Sequence, residues 1–463
     1  MILRRIKGYS SYLTLKPYET LTAQGRHRER YRLALLASLA NVFSAGLSMM
    51  TLVITVPMTL PYLGTERFGV WMTISSIAAM LSFLDFGIGN GLINRVASAN
   101  ASEDPKKVQS AITHGLIVLL AIGLVMAIVV LPLFERLPWG RIIKVSDPTH
   151  GPEIRTSLIW FFAIFAASIP LGGIQKIFQG LQKSWQAHLV RGAASVASLI
   201  LVFELAKIRA GIPALLLATY GVQTLFSIFL IGVLYRRGLI RINVLDRHDN
   251  WFAETSLLVR AGGLFFLLQV AGLLVWGIDS IIIAATLGAA NVTQFALVQR
   301  LFQFVIVPLS IVNAPLWAAY ADARVRGDTA FIGKTLKKSM FGTMILALIS
   351  VIAISAFSPL IFEVWIKTNA GRIPGALVWS YGLLSIFLVV GNAFAMFLNG
   401  LGVIKSQVVT VIAFCVLAIP LKYFGALHLG VLGLIAASII SYILAVALPY
   451  SVLYKMLMRK YVS

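Results

Sequence analysis

The sequence predicts an all-α membrane protein of about twelve transmembrane helices, arranged as two parallel-repeat lobes of six. Three observations lead to that reading. Of the 463 residues, 59% are hydrophobic and only 12% charged, whereas soluble domains carry roughly 45–50% apolar and about 25% charged residues. Apolar runs of about 20 residues, the length a spanning helix needs, recur along the whole chain. The second half also repeats landmarks of the first at a nearly constant offset.

Residues 1–33 form a basic segment in which Arg26, Arg28, Arg30 and Arg32 directly precede the first apolar run. This cluster reads as a cytoplasmic anchor on anionic lipid headgroups. It does not read as a signal peptide, because no short apolar run ends at a small-residue cleavage site. A first lobe, 34–235, holds spans near 34–58, 68–92, 110–133, 157–180, 187–206 and 212–235. A linker, 236–259, mixes Trp251, Phe252, Leu257 and Leu258 with charged residues, the pattern of an amphipathic helix lying on the membrane face. A second lobe, 260–454, holds spans near 260–286, 292–317, 338–360, 374–400, 404–424 and 429–454, and 455–463 is a tail.

The net charge of +22 would suggest nucleic acid in a soluble chain, but here the basic residues sit between apolar runs. With the N-terminus inside, one side gathers Arg95, Lys106, Lys107, Lys176, Lys183, Arg236, Arg237, Arg241, Arg247, Arg324, Arg326, Lys334, Lys337, Lys338 and Lys405. The other side holds fewer, among them Arg67, Arg155, Lys207 and Lys422, several beside acids such as Glu153 and Glu204. This asymmetry predicts an even number of spans with both termini in the cytoplasm. The single cysteine, Cys415, lies in an apolar run and reads as packing.

The repeat is visible in matched landmarks. A shift of 224 residues places Leu63-Gly64 on Leu287-Gly288 and Asp104 on Asp328. Shifts of 220 and 222 place Gln179-Gly180-Leu181 on Asn399-Gly400-Leu401 and Lys183-Ser184 on Lys405-Ser406. Six spans per half give both halves the same orientation, so the repeat axis runs along the membrane normal and a substrate site falls between the lobes.

Ionisable groups inside spans are costly and tend to face a cavity or a partner. Asp85, Asp279, Arg300 and His114 are such groups. On the eighth span Gln299, Gln303, Ser310 and Asn313 share one helical face bordered by Arg300. Two readings stay open. The stripe lines a wet lumen whose guanidinium forks onto phosphate oxygens, or Arg300 pairs with Asp279 or Asp85 and ties helices together. Asp85 and Asp279 are equally open as structural groups or as points of coupling to H+ or Na+, and His114 as a packed polar contact or a proton relay. Arg95, Lys176, Lys183, Arg191 and Arg260 lie near cytoplasmic span ends, where they snorkel to headgroups or ring a cationic mouth. The sequence holds no Walker loop, no HExxH and no cysteine-histidine cluster, so it offers neither a built-in ATPase nor a metalloenzyme site, and no catalytic constellation.

The stretch Pro61-Tyr62-Leu63-Gly64-Thr65-Glu66-Arg67-Phe68-Gly69-Val70-Trp71, followed by Leu81 to Gly91, resembles bacterial polysaccharide exporters of the Wzx type. These are O-antigen and exopolysaccharide repeat-unit flippases of the multidrug/oligosaccharidyl-lipid/polysaccharide (MOP) exporter superfamily. The resemblance implies a V-shaped pair of six-helix lobes in the bacterial cytoplasmic membrane, working by alternating access. It implies an undecaprenyl-diphosphate-linked glycan as cargo, membrane lipids and polysaccharide polymerase and chain-length proteins as partners, and no cofactor. In the related lipid II flippases an arginine in an R-L-x-x-F-like segment of the eighth helix lies near the lipid diphosphate. Arg300-Leu301-Phe302-Gln303-Phe304 matches that segment, which would make Arg300 the diphosphate ligand, with Gln299, Gln303 and Asn313 on the head group. Those flippases carry further cavity arginines on their first two helices, and this chain departs there: its first span has none and Arg95 lies late in the second. The rival expectation is a cation-coupled small-molecule exporter of the same superfamily.

Overall fold

The computed structural model describes residues 18, 23–81, 88–102, 104–137, 139, 143, 148–240, 270, 274, 277–325, 327–366 and 373–462. Every regular element among them is helical. The first half comprises α1 (Ala23–Leu81), α2 (Ile88–Ala101), α3 (Pro105–Glu135), α4 (Gly151–Gly180), α5 (Ser184–Lys207), and α6 (Ile212–Leu216), which runs through a π turn into α7 (Val222–Arg236). The second half comprises α8 (Asp279–Leu287), α9 (Ala289–Val325), α10 (Thr329–Ile366), α11 (Gly375–Gly400), α12 (Ile404–Tyr442), and, after a π turn at Ile443–Ala447, α13 (Leu448–Val462). Backbone groups in hydrocarbon must be bonded within their own segment, and only helices or closed barrels achieve that.

Nine segments among the described residues are long and apolar enough to cross a membrane. Two of them, Leu35–Ile77 with 43 residues and Lys405–Tyr454 with 50, are long enough for two crossings at about 20 residues each. Both turn on a glycine. Gly64 sits at φ 73° and ψ 172° inside α1, and Gly430 at φ 64° and ψ −152° inside α12. A side chain would strain either position. The short α8 is the described end of the predicted seventh span. Asp85, Arg260 and the predicted linker helix from 241 onward lie outside the described residues.

The repeat read from the sequence has a backbone counterpart. Gly288, the match of Gly64, bends the chain at φ 91° and ψ 162°. Gln182 and Gly402 both take positive φ, 59° and 67°, and so do Arg209 and Gly430, at 52° and 64°. The paired aspartates both close a helix start: Asp104 accepts from the Lys106 amide at 3.0 Å, and Asp328 from the Phe331 amide at 2.9 Å.

The end of the molecule carrying Gly64 and Gly288 is here called the seam end. The opposite end, carrying Lys106, Lys107, Lys183, Arg236, Arg237, Lys337 and Lys338, is the basic end. At the seam end, Arg67 forks onto Glu153 with contacts of 2.9 and 2.5 Å, and Glu153 also accepts from the Ile212 amide at 2.9 Å. One carboxylate thus ties the starts of three helices of the first half. At Gly211 a Cβ would lie 2.7 Å from that carboxylate, so the missing side chain makes room for the bond. At the N-terminal end, Arg32 differs from the headgroup anchor that the sequence suggests. It is buried, and it forks onto Glu29 at 2.7 and 2.6 Å. That hydrogen bond holds the Glu29 carboxyl below its ordinary range.

The second half is tied by a pair that the sequence misplaces. Lys422, expected among the charges facing water, is fully buried, and its Nζ donates to Asp279 at 2.7 Å. Asp279 therefore pairs with Lys422 and not with Arg300. Two charges so deep are tolerated because each neutralises the other, and removing one partner of such a pair costs about 3–5 kcal/mol. Asp279→Asn should lower stability by about that amount and Asp279→Asn/Lys422→Met should recover most of it, as read by thermal unfolding in detergent. Equal losses in single and double variants would show that the pair does not carry the packing.

Candidate functional site

The two halves meet along α1 and α9, and the residues there explain the meeting. On α9, Ala289, Thr293, Ala296, Leu297 and Arg300 fall on one helical stripe, and all are buried. Opposite them stand Thr65, Phe68, Gly69 and Met72 on the second limb of α1. A Cβ on Gly69 would lie 1.8 Å from the Ala289 carbonyl oxygen, so the two backbones approach as only glycine permits. The Thr293 hydroxyl donates to the Thr65 carbonyl at 2.5 Å. On the first limb, Pro57 has no amide hydrogen and leaves the Val53 carbonyl without its helical donor. The indole N–H of Trp365, near the end of α10, takes that carbonyl at 2.8 Å.

Arg300 closes this seam from below. Its Nη1 donates to the Leu52 carbonyl at 3.1 Å, its Nη2 lies 3.1 Å from the Met72 sulfur, and its guanidinium sits 5.7 Å from the centre of the Phe68 ring. The residue is 8% exposed. Among the described residues no carboxylate pairs with it. A carbonyl, a thioether and a ring face are weak company for a buried cation, which normally requires an anion.

Below Arg300 the same stripe loses its cover. Phe304 and Pro315 are exposed, and Val307 and Ile311 are partly covered. On α1 the change mirrors this: Val56, Leu60 and Leu63 are buried, while on the same face toward the basic end Met49 is only partly covered and Ser38 and Val42 are exposed. The halves are closed at the seam end and part toward the basic end.

A second space opens inside the first half. A cavity of about 470 Å³ lies between α4 and the α6–α7 helix, lined by Ser168, Gly172, Gln175 and Lys176 on one side and Tyr220, Gln223, Thr224 and Ser227 on the other. These positions follow helical spacing on faces turned away from the exposed Trp160, Leu225, Ile228 and Phe229. The amides of Gln175 and Gln223 have no partner among the described residues, and Gly172 faces open space. The Tyr220 hydroxyl lies 3.5 Å from the Ser75 carbonyl and within electrostatic reach of Arg300. The cavity therefore runs from Tyr220, which lies near the arginine, toward the basic end.

The other residues singled out in the sequence are scattered. Gln299 borders Tyr381 of α11, and Gln303 has no partner among the described residues. Asn313 is buried within the second half, accepting from the Thr343 hydroxyl at 3.1 Å, with its amide nitrogen unpartnered. The polar face of α9 thus divides: Arg300 turns to the seam, Gln299 and Asn313 to their own half. Arg191 points into the first half, donating to Ser44 at 3.0 Å and Asn41 at 2.8 Å on α1. Lys183 is exposed on the turn before α5, Arg95 is partly covered near the basic end of α2, and Lys176 lines the cavity. His114 and Cys415 are buried. Sequence reasoning missed Lys422, Trp365, Gln175, Gln223 and Tyr220. For Gln175 and Gln223 the signal was present, since each shares a helical face with a serine, Ser168 and Ser227.

This fold, with a seam between two repeated halves and polar space beneath it, is that of MOP-superfamily transporters. It matches an inward-facing conformation of a multidrug resistance MATE family transporter with a TM-score of 0.73 and 16% identity, covering 89% of this chain and 93% of the other. The outward-facing conformation of a MATE family transporter matches at 0.66 and 16% identity, covering 91% and 95%. A family model described as "Polysaccharide biosynthesis protein" matches residues 33–320, and the chain belongs to that family. Among its relatives, a candidate O-antigen export protein of Yersinia pseudotuberculosis is 22% identical over 405 residues, covering 86% of this chain and 90% of the relative. A candidate O-antigen transporter of Salmonella typhi is 21% identical over 427 residues, covering 90% and 94%.

The seam yields a direct test. Gly69→Val should hold the halves apart at Thr65 and Thr293 without unfolding either half. In a Thr65→Cys/Thr293→Cys background, cross-linking by a short bifunctional thiol reagent should fall several-fold on adding Gly69→Val. Unchanged cross-linking would show that the close approach at Gly69 does not govern the seam.

Proposed function

We propose that this protein exports polysaccharide repeat units by flipping an undecaprenyl-diphosphate-linked glycan from the inner to the outer leaflet of the bacterial cytoplasmic membrane. The basic end faces the cytoplasm, consistent with the loop charges. The observation that carries the reading is Arg300: a buried guanidinium between the two halves, with no carboxylate partner among the described residues.

The cargo has an apolar tail and an anionic, polyhydroxylated head. Carrying that head through hydrocarbon strips its water, a cost the protein must offset. A diphosphate entering from the open basic end meets Arg300 at the top of the cleft. Phosphate oxygens carry charge of their own and match the guanidinium fork two at a time, so they are better partners than the Leu52 carbonyl and the Met72 sulfur they would displace. The cavity beside Tyr220 offers Gln175, Gln223 and hydroxyls to the sugars, and Gln303 adds an amide on the other wall. Occupying Arg300 removes one tie across the seam, so binding itself favours opening at the far end, and the lobes rock. The tail stays in lipid throughout. Asn313 and Arg191 are assigned to packing on the strength of their partners.

The rival small-molecule exporter needs an acidic lumen for cationic compounds. Asp279, one of the two candidate acids, is already matched by Lys422. Coupling to H+ or Na+ through it would require displacing that amine. Polymerase and chain-length proteins remain proposed partners on the same reading.

The test is in cells and by leaflet. Arg300→Ala should insert at normal levels and abolish surface polysaccharide, with lipid-linked units accumulating on the inner leaflet, while Arg300→Lys should retain a small fraction. Full surface polysaccharide from Arg300→Ala at native expression would remove the diphosphate role.

A further inference from the structure

A cavity of about 870 Å³ lies on the second half, between α10, α11 and the segment from Tyr442 to Tyr454, and no described residue of the first half lines it. Its walls are apolar, built from Met340, Phe341, Met344, Phe387 and Phe394. The polar groups within reach are turned aside. The Tyr450 hydroxyl accepts from Thr410 at 3.2 Å, and the Ser451 hydroxyl donates to the Leu448 carbonyl at 2.7 Å. At Gly391 a Cβ would lie 1.8 Å from the Tyr442 hydroxyl, so the absent side chain lets that ring lie flat as the floor. Among the described lining residues the polar groups that remain are the Tyr454 phenol and the ammonium groups of Lys337 and Lys338, and the rest of the wall offers ordered water nothing to bond. It opens to lipid: Phe341, Met344, Leu348 and Ile352 form one helical stripe along α10, and all four are exposed.

The basic-end mouth of this groove carries Lys337 and Lys338. Both are exposed, and neither has an acidic partner among the described residues. Basic pockets between helices on the cytoplasmic side of a membrane select anionic headgroups. A zwitterionic headgroup would bring its own ammonium against the lysines. We infer that this groove is a binding site for an anionic phospholipid of the inner leaflet, with acyl chains along Met344 and Phe387 and the phosphate on Lys337 and Lys338. The glycan-bearing lipid is the less suited occupant, because its head carries many hydroxyls and, beyond Tyr454 and the two lysines, the described walls of this groove offer them few hydrogen-bond partners.

The site is tested on the full-length protein, and its outcome is independent of transport. Purified protein is exchanged into bilayers of equal phosphatidylglycerol and phosphatidylethanolamine, delipidated, and weighed by native mass spectrometry. The protein should retain phosphatidylglycerol in preference to phosphatidylethanolamine. Lys337→Gln/Lys338→Gln should reduce that preference by about thirtyfold, two lysines at about 1 kcal/mol each. Met344→Trp, which fills the groove and spares the lysines, should lower the amount of lipid retained. Equal retention of the two lipids by the unaltered protein, a preference unaffected by the lysine changes, or retention unaffected by Met344→Trp would each overturn the site. So would recovery of a polyprenyl diphosphate in place of phospholipid from protein purified out of native membranes.

Discussion

A buried guanidinium held only by a carbonyl oxygen, a sulfur and the face of a ring sets the terms for this molecule. Arg300 cannot shed its charge, because a guanidinium stays protonated. It also sits where the two halves of the chain come together. Everything around it serves that placement. Gly69 lets α1 and α9 approach until their backbones touch, Pro57 frees a carbonyl for Trp365, and Glu153 and the Asp279–Lys422 pair hold the helices of each half so that the seam closes as one surface. The seam is built from contacts that are individually small, so a ligand that offers Arg300 a better partner can shift the balance between closed and open.

The two cavities differ in chemistry. The one in the first half carries unpartnered amides and hydroxyls and reaches Tyr220, which lies near the arginine. The one in the second half is apolar and opens to lipid, with lysines at its rim. They lie on different faces of helices related by the repeat. A duplicated scaffold has therefore been given opposite chemistry on its two sides. The polar side suits a head that must leave water, and the apolar side suits chains that never do.

Much of this was legible in the sequence, and the reasons it was or was not are physical. Hydropathy and loop charge located the helices because hydrocarbon admits few alternatives. The offset of 224 residues found Gly64 and Gly288, whose backbone angles nearly coincide. The stretch from Pro61 to Trp71 was recognisable as a family signature, but its cause was not: Thr65, Phe68 and Gly69 are fixed by residues more than 200 positions away. Lys422 was misread for a related reason. A lysine at the end of an apolar run counts as a loop charge, and only the fold brings Asp279 to it. On α9 the spacing grouped Gln299, Gln303 and Asn313 correctly by angle, but a helix packed on two sides gives neighbouring positions different partners, and Asn313 went to Thr343.

On the function proposed above, closure of the seam and capture of a diphosphate compete for Arg300. The most direct measurement is the distance between spin labels placed on the seam ends of α1 and α9, recorded in bilayers as a short-chain polyprenyl diphosphate is added. The ligand should move the population from the short distance to a longer one, and Arg300→Gln should show no ligand response at the same concentrations. A wild-type protein that demonstrably binds the diphosphate while its seam distances stay unchanged would contradict it.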